Sequence, residues 1–216
     1  MNRDIGNPNR AFADGIKVYD LQGQSFDKVI DYFESRITKW YFKISRRKVL
    51  KDSNFMLMTT CSVLIDLFSQ YFYGQYFSSK KHFIQFIEEH LDKYNQELTP
   101  PLETVDRDKK TGNPTQVKVK SIAEGLYVGF RCGVVHSARI LEFGRINQVD
   151  KKNAISLQEW RYEHKNGREI QVNPALLLKE LERIFRKYIK KLRKNDQEAV
   201  ANFKKKFNFE YSTSFQ

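Results

Sequence analysis

The chain is poor in cysteine, proline, glycine and histidine, with 2, 5, 10 and 4 of each among 216 residues. The two cysteines, Cys61 and Cys132, have no CxxC spacing, so neither a zinc site nor a redox pair is supported. Both sit in apolar, helix-like runs and read as reduced core thiols. The chain has no GxxxxGK[ST], no GxGxxG after a strand and no GxSxG elbow. Kinase, GTPase, dinucleotide and serine-hydrolase readings therefore lack support, and no cofactor is expected. Asp106 and Asp108 are paired acids without a third ligand at a plausible spacing, so no metal is expected either. No uninterrupted apolar run approaches the roughly 20 residues of a membrane span. The stretch from Met1 to Gly15 is polar and lacks the apolar core of a secretory signal. The expectation is a soluble cytoplasmic protein without a membrane partner.

What the chain does have is positive charge and aromatic rings. Its 38 Lys and Arg against 26 Asp and Glu leave a net charge of +12, and it carries 17 Phe and 11 Tyr. The rings are enough to fill a core, which excludes wholesale disorder. The charge favours an anionic partner, nucleic acid above all. Basic residues cluster at Lys43, Arg46, Arg47, Lys48 and Lys51. A second group is Arg183, Arg186, Lys187, Lys190, Lys191, Arg193 and Lys194, extended by Lys204–Lys206. Arg46, Arg47, Lys48, Lys187, Lys190 and Lys191 are the candidate RNA contacts. Tyr41, Phe42, Tyr188, Phe203 and Phe207 are interleaved with these groups. Exposed, such rings stack on bases; buried, they are core, and the charges are its wet face.

The length fits a single domain over residues 1–216. An irregular arm, 1–24, has at most a short strand near Ile16–Leu21. Ser25 caps an amphipathic helix carrying Phe26, Val29, Ile30, Phe33, Ile37, Trp40 and Tyr41 inward and ending near Arg46–Arg47. A second helix follows Asp52 or Ser53, is apolar on most sides through Leu57, Cys61, Leu64, Ile65, Phe68 and Phe72, and stops at Gly74. A third opens at Ser78 or Ser79. Residues 99–117 read as a long loop, and a fourth helix as running from Lys118 to Phe143. A small β-hairpin is expected near 158–172, turning at Asn166-Gly167. Asn173-Pro174 opens a long basic helix, with a short continuation to Phe207, the whole spanning 174–207. His82 and His90 read as polar-face residues of the third helix, and His164 as an exposed neighbour of the hairpin turn.

Within the expected fourth helix, Phe130-Arg131-Cys132-Gly133-Val134-Val135-His136 places an Arg and a His together in an apolar setting. A guanidinium is permanently charged and matches a phosphate; an imidazole exchanges protons near neutrality. Together they suit metal-free RNA cleavage by the strand's own 2′-hydroxyl, with His136 handling the proton and Arg131 the transition-state charge. Tyr127, Cys132 and Ser137 are supporting candidates. Five residues of ideal helix turn about 140°, so the pair does not share a face unless Gly129 and Gly133 permit a local break or the long Arg reaches around; otherwise one of the two faces the other copy across a dimer. The alternative is a helix C-terminal region with a buried His and an Arg paired at the surface, for instance with Glu124 or Glu142.

An Arg and a His at this spacing, late in a helical bundle, resemble the HEPN (higher eukaryote and prokaryote nucleotide-binding) superfamily. The resemblance covers roughly 25–95 and 118–194. It implies an all-α bundle, with the hairpin as an insertion, and a metal-independent endoribonuclease acting on single-stranded RNA. It also implies a homodimer that brings two motifs together, and an antitoxin or defence-system partner. Cys132 departs from the Asn, Asp or His usual after the Arg. That departure keeps open a non-catalytic module that binds RNA, a nucleotide or a partner protein.

Overall fold

Helices form where apolar residues recur at helical spacing behind a polar cap. The computed structural model describes residues 11–13, 15–47, 53–107, 111–133, 139–162 and 165–212. Helix α1 (Phe26–Ile37) starts where the Ser25 side chain accepts the Lys28 backbone N–H, and buries Val29, Ile30, Phe33 and Ile37. It widens into a π-helical turn over Thr38–Lys43. Helix α2 (Asn54–Phe72) is capped by Ser53 and buries Leu57, Cys61, Leu64, Ile65 and Phe68. By length and hydropathy α2 would suit a membrane span, yet half of it is buried inside the fold, packed on its neighbours as the core helix of a soluble protein is. Helix α3 (Lys80–His90) follows a Ser79 cap.

Helix α4 (Ile122–Gly125) runs straight into a π-helical segment, Leu126–Cys132. Helix α5 (Pro174–Arg193) opens on Asn173, whose side chain accepts the N–H groups of Ala175 and Leu176 at 3.1 and 3.2 Å. Leu177, Leu181, Ile184, Phe185, Tyr188 and Leu192 all face the core, as their spacing predicts. Helix α6 (Gln197–Tyr211), capped by Asp196, is longer than the short continuation expected to Phe207.

The all-α, HEPN-like bundle is overturned: the chain is mixed α and β, with three sheets beside the helices among the described residues. Strands β1 (Ala11–Ala13) and β2 (Ile16–Lys17) pair within the arm expected to be irregular. The expected loop at 99–117 is largely a long antiparallel hairpin of β3 (Glu97–Arg107) and β4 (Pro114–Ser121). Its period is two: Leu102 and Thr104 are buried while Glu103 and Val105 face out. The fourth helix is accordingly much shorter than 118–143, because β4 holds Lys118–Ser121 and Arg139–Phe143 are not helical. The third sheet has the order β5-β7-β6, from Gly144–Ile146, Lys165–Val172 and Ile155–Tyr162; β5 runs parallel to β7 and β6 antiparallel.

The hairpin expected near 158–172 exists, but its turn is not Asn166-Gly167. Tyr162 pairs with Lys165, so the connection spans 163–164, outside the described residues, and Asn166 and Gly167 are strand positions. Gly167 is there for space: a Cβ would come within 2.6 Å of the Trp160 ring across the ladder.

Aromatic rings fill the contact between α1, α2, α5 and α6. Phe68 stacks on Phe185 at 5.4 Å, Phe72 on Tyr188 at 4.1 Å, and Phe33 meets Tyr71 at 4.6 Å. Each such pair contributes about 0.5–1.5 kcal/mol beyond its area. Phe203 and Phe207 are fully buried, and Tyr188 is 3% exposed. These rings are therefore core and offer no stacking surface.

Candidate nucleic-acid interface

Two regions stand out in the sequence, and the fold treats them differently. The first surrounds Arg131. Its Nε donates to Asp66 Oδ2 at 2.7 Å, an ion pair in which both side chains are about one-seventh exposed, at 15% and 14%. Ser78 joins them, donating to Asp66 and accepting from Arg131 Nη2 at 3.4 Å. The guanidinium also lies 5.6 Å from the Tyr127 ring centre. Burial opposes the charge, but the Asp66 hydrogen bond and its carboxylate outweigh it and hold the Arg131 pKa above its usual value. Burial, then the Cys132 thiol, push the Tyr127 phenol up. Cys132 is only half-buried, unlike Cys61, whose thiol burial drives far upward.

The expected partners of Arg131 are occupied elsewhere. Glu124 pairs with Lys80 at 2.6 Å, and Glu142 accepts from Thr104 at 3.2 Å. Gly129 lies within the π-helical segment and is a point of close approach: a Cβ there would meet Phe143 at 2.6 Å. His136 and Ser137 lie outside the described residues, as do Lys48, Asp108 and His164.

The second region is the outer face of α5. Lys179, Arg183, Arg186, Lys187 and Lys190 fall at i, i+4, i+7, i+8 and i+11, which is one face of a helix. With Arg46, at the end of the first helical segment, they line a groove of about 520 Å³ whose single carboxylate is Glu182. Glu182 is 9% exposed and receives both Arg46 and Arg186. Burial would raise its pKa, but those two guanidinium donors keep the carboxyl below its ordinary value. Arg183 turns to Glu180 at 3.0 Å. Among the described residues, no carboxylate pairs with Lys179, Lys187 or Lys190.

A second basic groove, of about 410 Å³, lies around the turn that follows α1. Lys39, Trp40, Lys43, Ile44 and Arg47 form it. It adjoins the first at the neighbouring residues Arg46 and Arg47. Trp40, expected on the inner face, is only partly buried there, with the Arg36 guanidinium 5.0 Å from its ring centre; the widened Thr38–Lys43 turn rotates the ring off the 3.6-residue stripe. Its position among Lys39, Lys43 and Arg47 is the signal in the sequence that could have found it. Lys191, also a candidate contact, is exposed on the flank of α5.

A wider recess, about 670 Å³, lies elsewhere, between the two long hairpins. It sets Glu103, Glu142 and Glu159 against Arg161 and Arg168, and Arg168 is spent on the Thr99 and Pro100 carbonyls. It offers a polyanion no net attraction. Among the described residues no three His, Cys, Asp or Glu converge to hold a metal ion, and Asp106 pairs with Arg139. Compared with known family models, curated proteins and solved structures, the chain matches none.

Proposed function

We propose that this protein is a nucleic-acid-binding module that holds single-stranded RNA along the outer face of α5 and the adjoining end of the first helical segment. The observation that carries this reading is the row Lys179, Lys187 and Lys190, cations without carboxylate partners among the described residues, facing one groove.

The non-catalytic reading is favoured over the ribonuclease. Arg131 is the only described member of the cleavage pair, and its charge is already matched by Asp66. A guanidinium committed to an internal carboxylate offers little to a developing phosphorane. The homodimer and the antitoxin or defence-system partner follow only from the Arg131–His136 resemblance, and the RNA face stands without them. A cytoplasmic setting accompanies this reading.

The test is fluorescence anisotropy with a labelled single-stranded RNA at low and near-physiological salt, with duplex DNA as competitor. Binding that weakens steeply with salt and resists duplex competition is expected. Absence of binding at low salt, or equal affinity in Lys187→Glu/Lys190→Glu, defeats the proposal.

A further inference from the structure

Behind the α5 groove lies a more enclosed recess of about 380 Å³, between the end of α3, α5 and the start of α6. Arg183 and Lys187 line both, so the recess opens off the path assigned to the RNA backbone. Its floor is aromatic. Phe72, half-buried, stacks on Tyr188 at 4.1 Å, and the His90 ring stands edge-on to Phe72 at 5.0 Å. Burial lowers the His90 pKa, which favours the neutral ring. Tyr73 forms a wall, its hydroxyl held on Glu89 at 2.8 Å.

The rim carries both signs of charge. Two of its carboxylates are engaged: Glu89 takes Tyr73, and Asp196 caps α6 by accepting Ala199 N–H at 3.0 Å. Asp92 and Glu198 are exposed, and among the described residues neither side chain accepts a hydrogen bond. Lys187 and Lys191 stand on the same rim. Two open carboxylates in a recess shared with Arg183, Lys187 and Lys191 work against backbone binding there. They are useful only to a ligand that brings N–H donors alongside its anion.

We infer that this recess receives one unstacked base of the bound strand, and that guanine is the base it takes. The inference rests on the RNA-binding reading of the α5 groove. Among the bases, guanine offers two adjacent donors, N1–H and N2–H2, which a carboxylate accepts side by side, and two acceptors, O6 and N7, which a lysine donates to. Uracil offers a single donor, N3–H, and flanks it with two carbonyl oxygens that a carboxylate repels. Adenine and cytosine bring one amino group each. The aromatic floor gives any base an apolar wall, so selection falls to the rim. The volume lies near the lower end for small-molecule sites, the size of one nucleotide rather than a length of strand.

The experiment compares three labelled strands of equal length: all uridine, the same with one central guanosine, and the same with one central adenosine. Guanosine is expected to raise affinity about five- to tenfold, as one bidentate base contact does, with adenosine close to uridine. In Asp92→Asn/Glu198→Gln the guanosine-to-uridine ratio falls toward one, while uridine affinity holds or rises as repulsion is removed. Equal affinity for all three strands overturns the base pocket and leaves the groove reading intact. Equal gain from adenosine overturns it too, because stacking alone then explains the effect. Competition by guanosine monophosphate at the strand's own concentration also overturns it, in favour of a free-nucleotide site. Failure of every strand to bind removes the groove reading and this inference together.

Discussion

Arg131 and Lys187 invite the same expectation in the sequence, a cation ready for phosphate, and the fold separates them. Arg131 reaches inward from a π-helical turn to a carboxylate on α2, with both partners mostly shielded from water. Lys187 points outward from a regular helix into an open groove without a carboxylate partner among the described residues. What decides availability is the partner, not the residue type. A matched, half-desolvated guanidinium is an architectural element, whereas an unmatched ammonium in water can exchange its counterions for phosphate.

The sharpest way to break this contrast is to remove the partner. Asp66→Ala strands the Arg131 charge in a poorly hydrated site and is expected to cost about 3 kcal/mol, the low end for a broken buried pair because some exposure remains. Urea denaturation measures it. Replacing both groups, as Asp66→Leu/Arg131→Met, is expected to recover most of that loss and to leave RNA affinity within about twofold. A double variant that folds but no longer binds RNA would return Arg131 to the functional site.

The mirror experiment is at the surface. Lys187→Glu/Lys190→Glu is expected to weaken RNA binding more than tenfold and to lower the salt slope by about two, one for each phosphate that no longer meets a lysine. Its unfolding free energy should stay within about 0.5 kcal/mol of the parent, since neither side chain packs. A variant that loses stability along with affinity would show that these lysines belong to the frame as Arg131 does.

The sequence is readable where a signal is local. Asn173-Pro174 announces α5, and its six inward residues follow from their spacing, because cap, period and amphipathic face agree over twenty residues. Residues 99–117 are obscured by their punctuation: Pro100-Pro101 and Gly112-Asn113-Pro114 read as loop. Yet the alternation of Val117 and Val119 with Lys118 and Lys120 already has a strand's period. The hairpin turn is misplaced because Asn166-Gly167 carries the usual turn signal, while the glycine is required by the Trp160 ring on the facing strand. For the candidate site, the α5 stripe is legible and the partner of Arg131 is not. Asp66 lies sixty-five residues earlier, on a helix whose pairing with the α4 segment depends on tertiary packing. Asp92 and Glu198 are joined only by the same kind of packing.

Smaller effects sharpen the role of α5 as the rigid rail of the proposed RNA face. Asn173→Ala removes an acceptor for two N–H groups at its start and is expected to cost about 1 kcal/mol by thermal unfolding, with RNA affinity unchanged because the groove residues lie further along the helix.

The smallest effect concerns Glu182, where the two regions' chemistries meet: a nearly buried carboxylate, as at Asp66, placed beneath the exposed cations. Arg186 and Arg46 overcome its burial and depress its folded pKa below the ordinary 4.5. The unfolded chain therefore binds a proton more readily than the folded one in that range. The stabilising contribution is complete above about pH 4.5 and is lost as pH falls through the depressed folded value. Glu182→Gln is expected to flatten the acid limb of a stability–pH curve and leave the neutral limb parallel to the parent. It also frees Arg46 and Arg186 for phosphate, so RNA affinity at neutral pH should rise. An unchanged acid limb together with unchanged affinity would mean that the carboxylate neither anchors the groove nor restrains its charge.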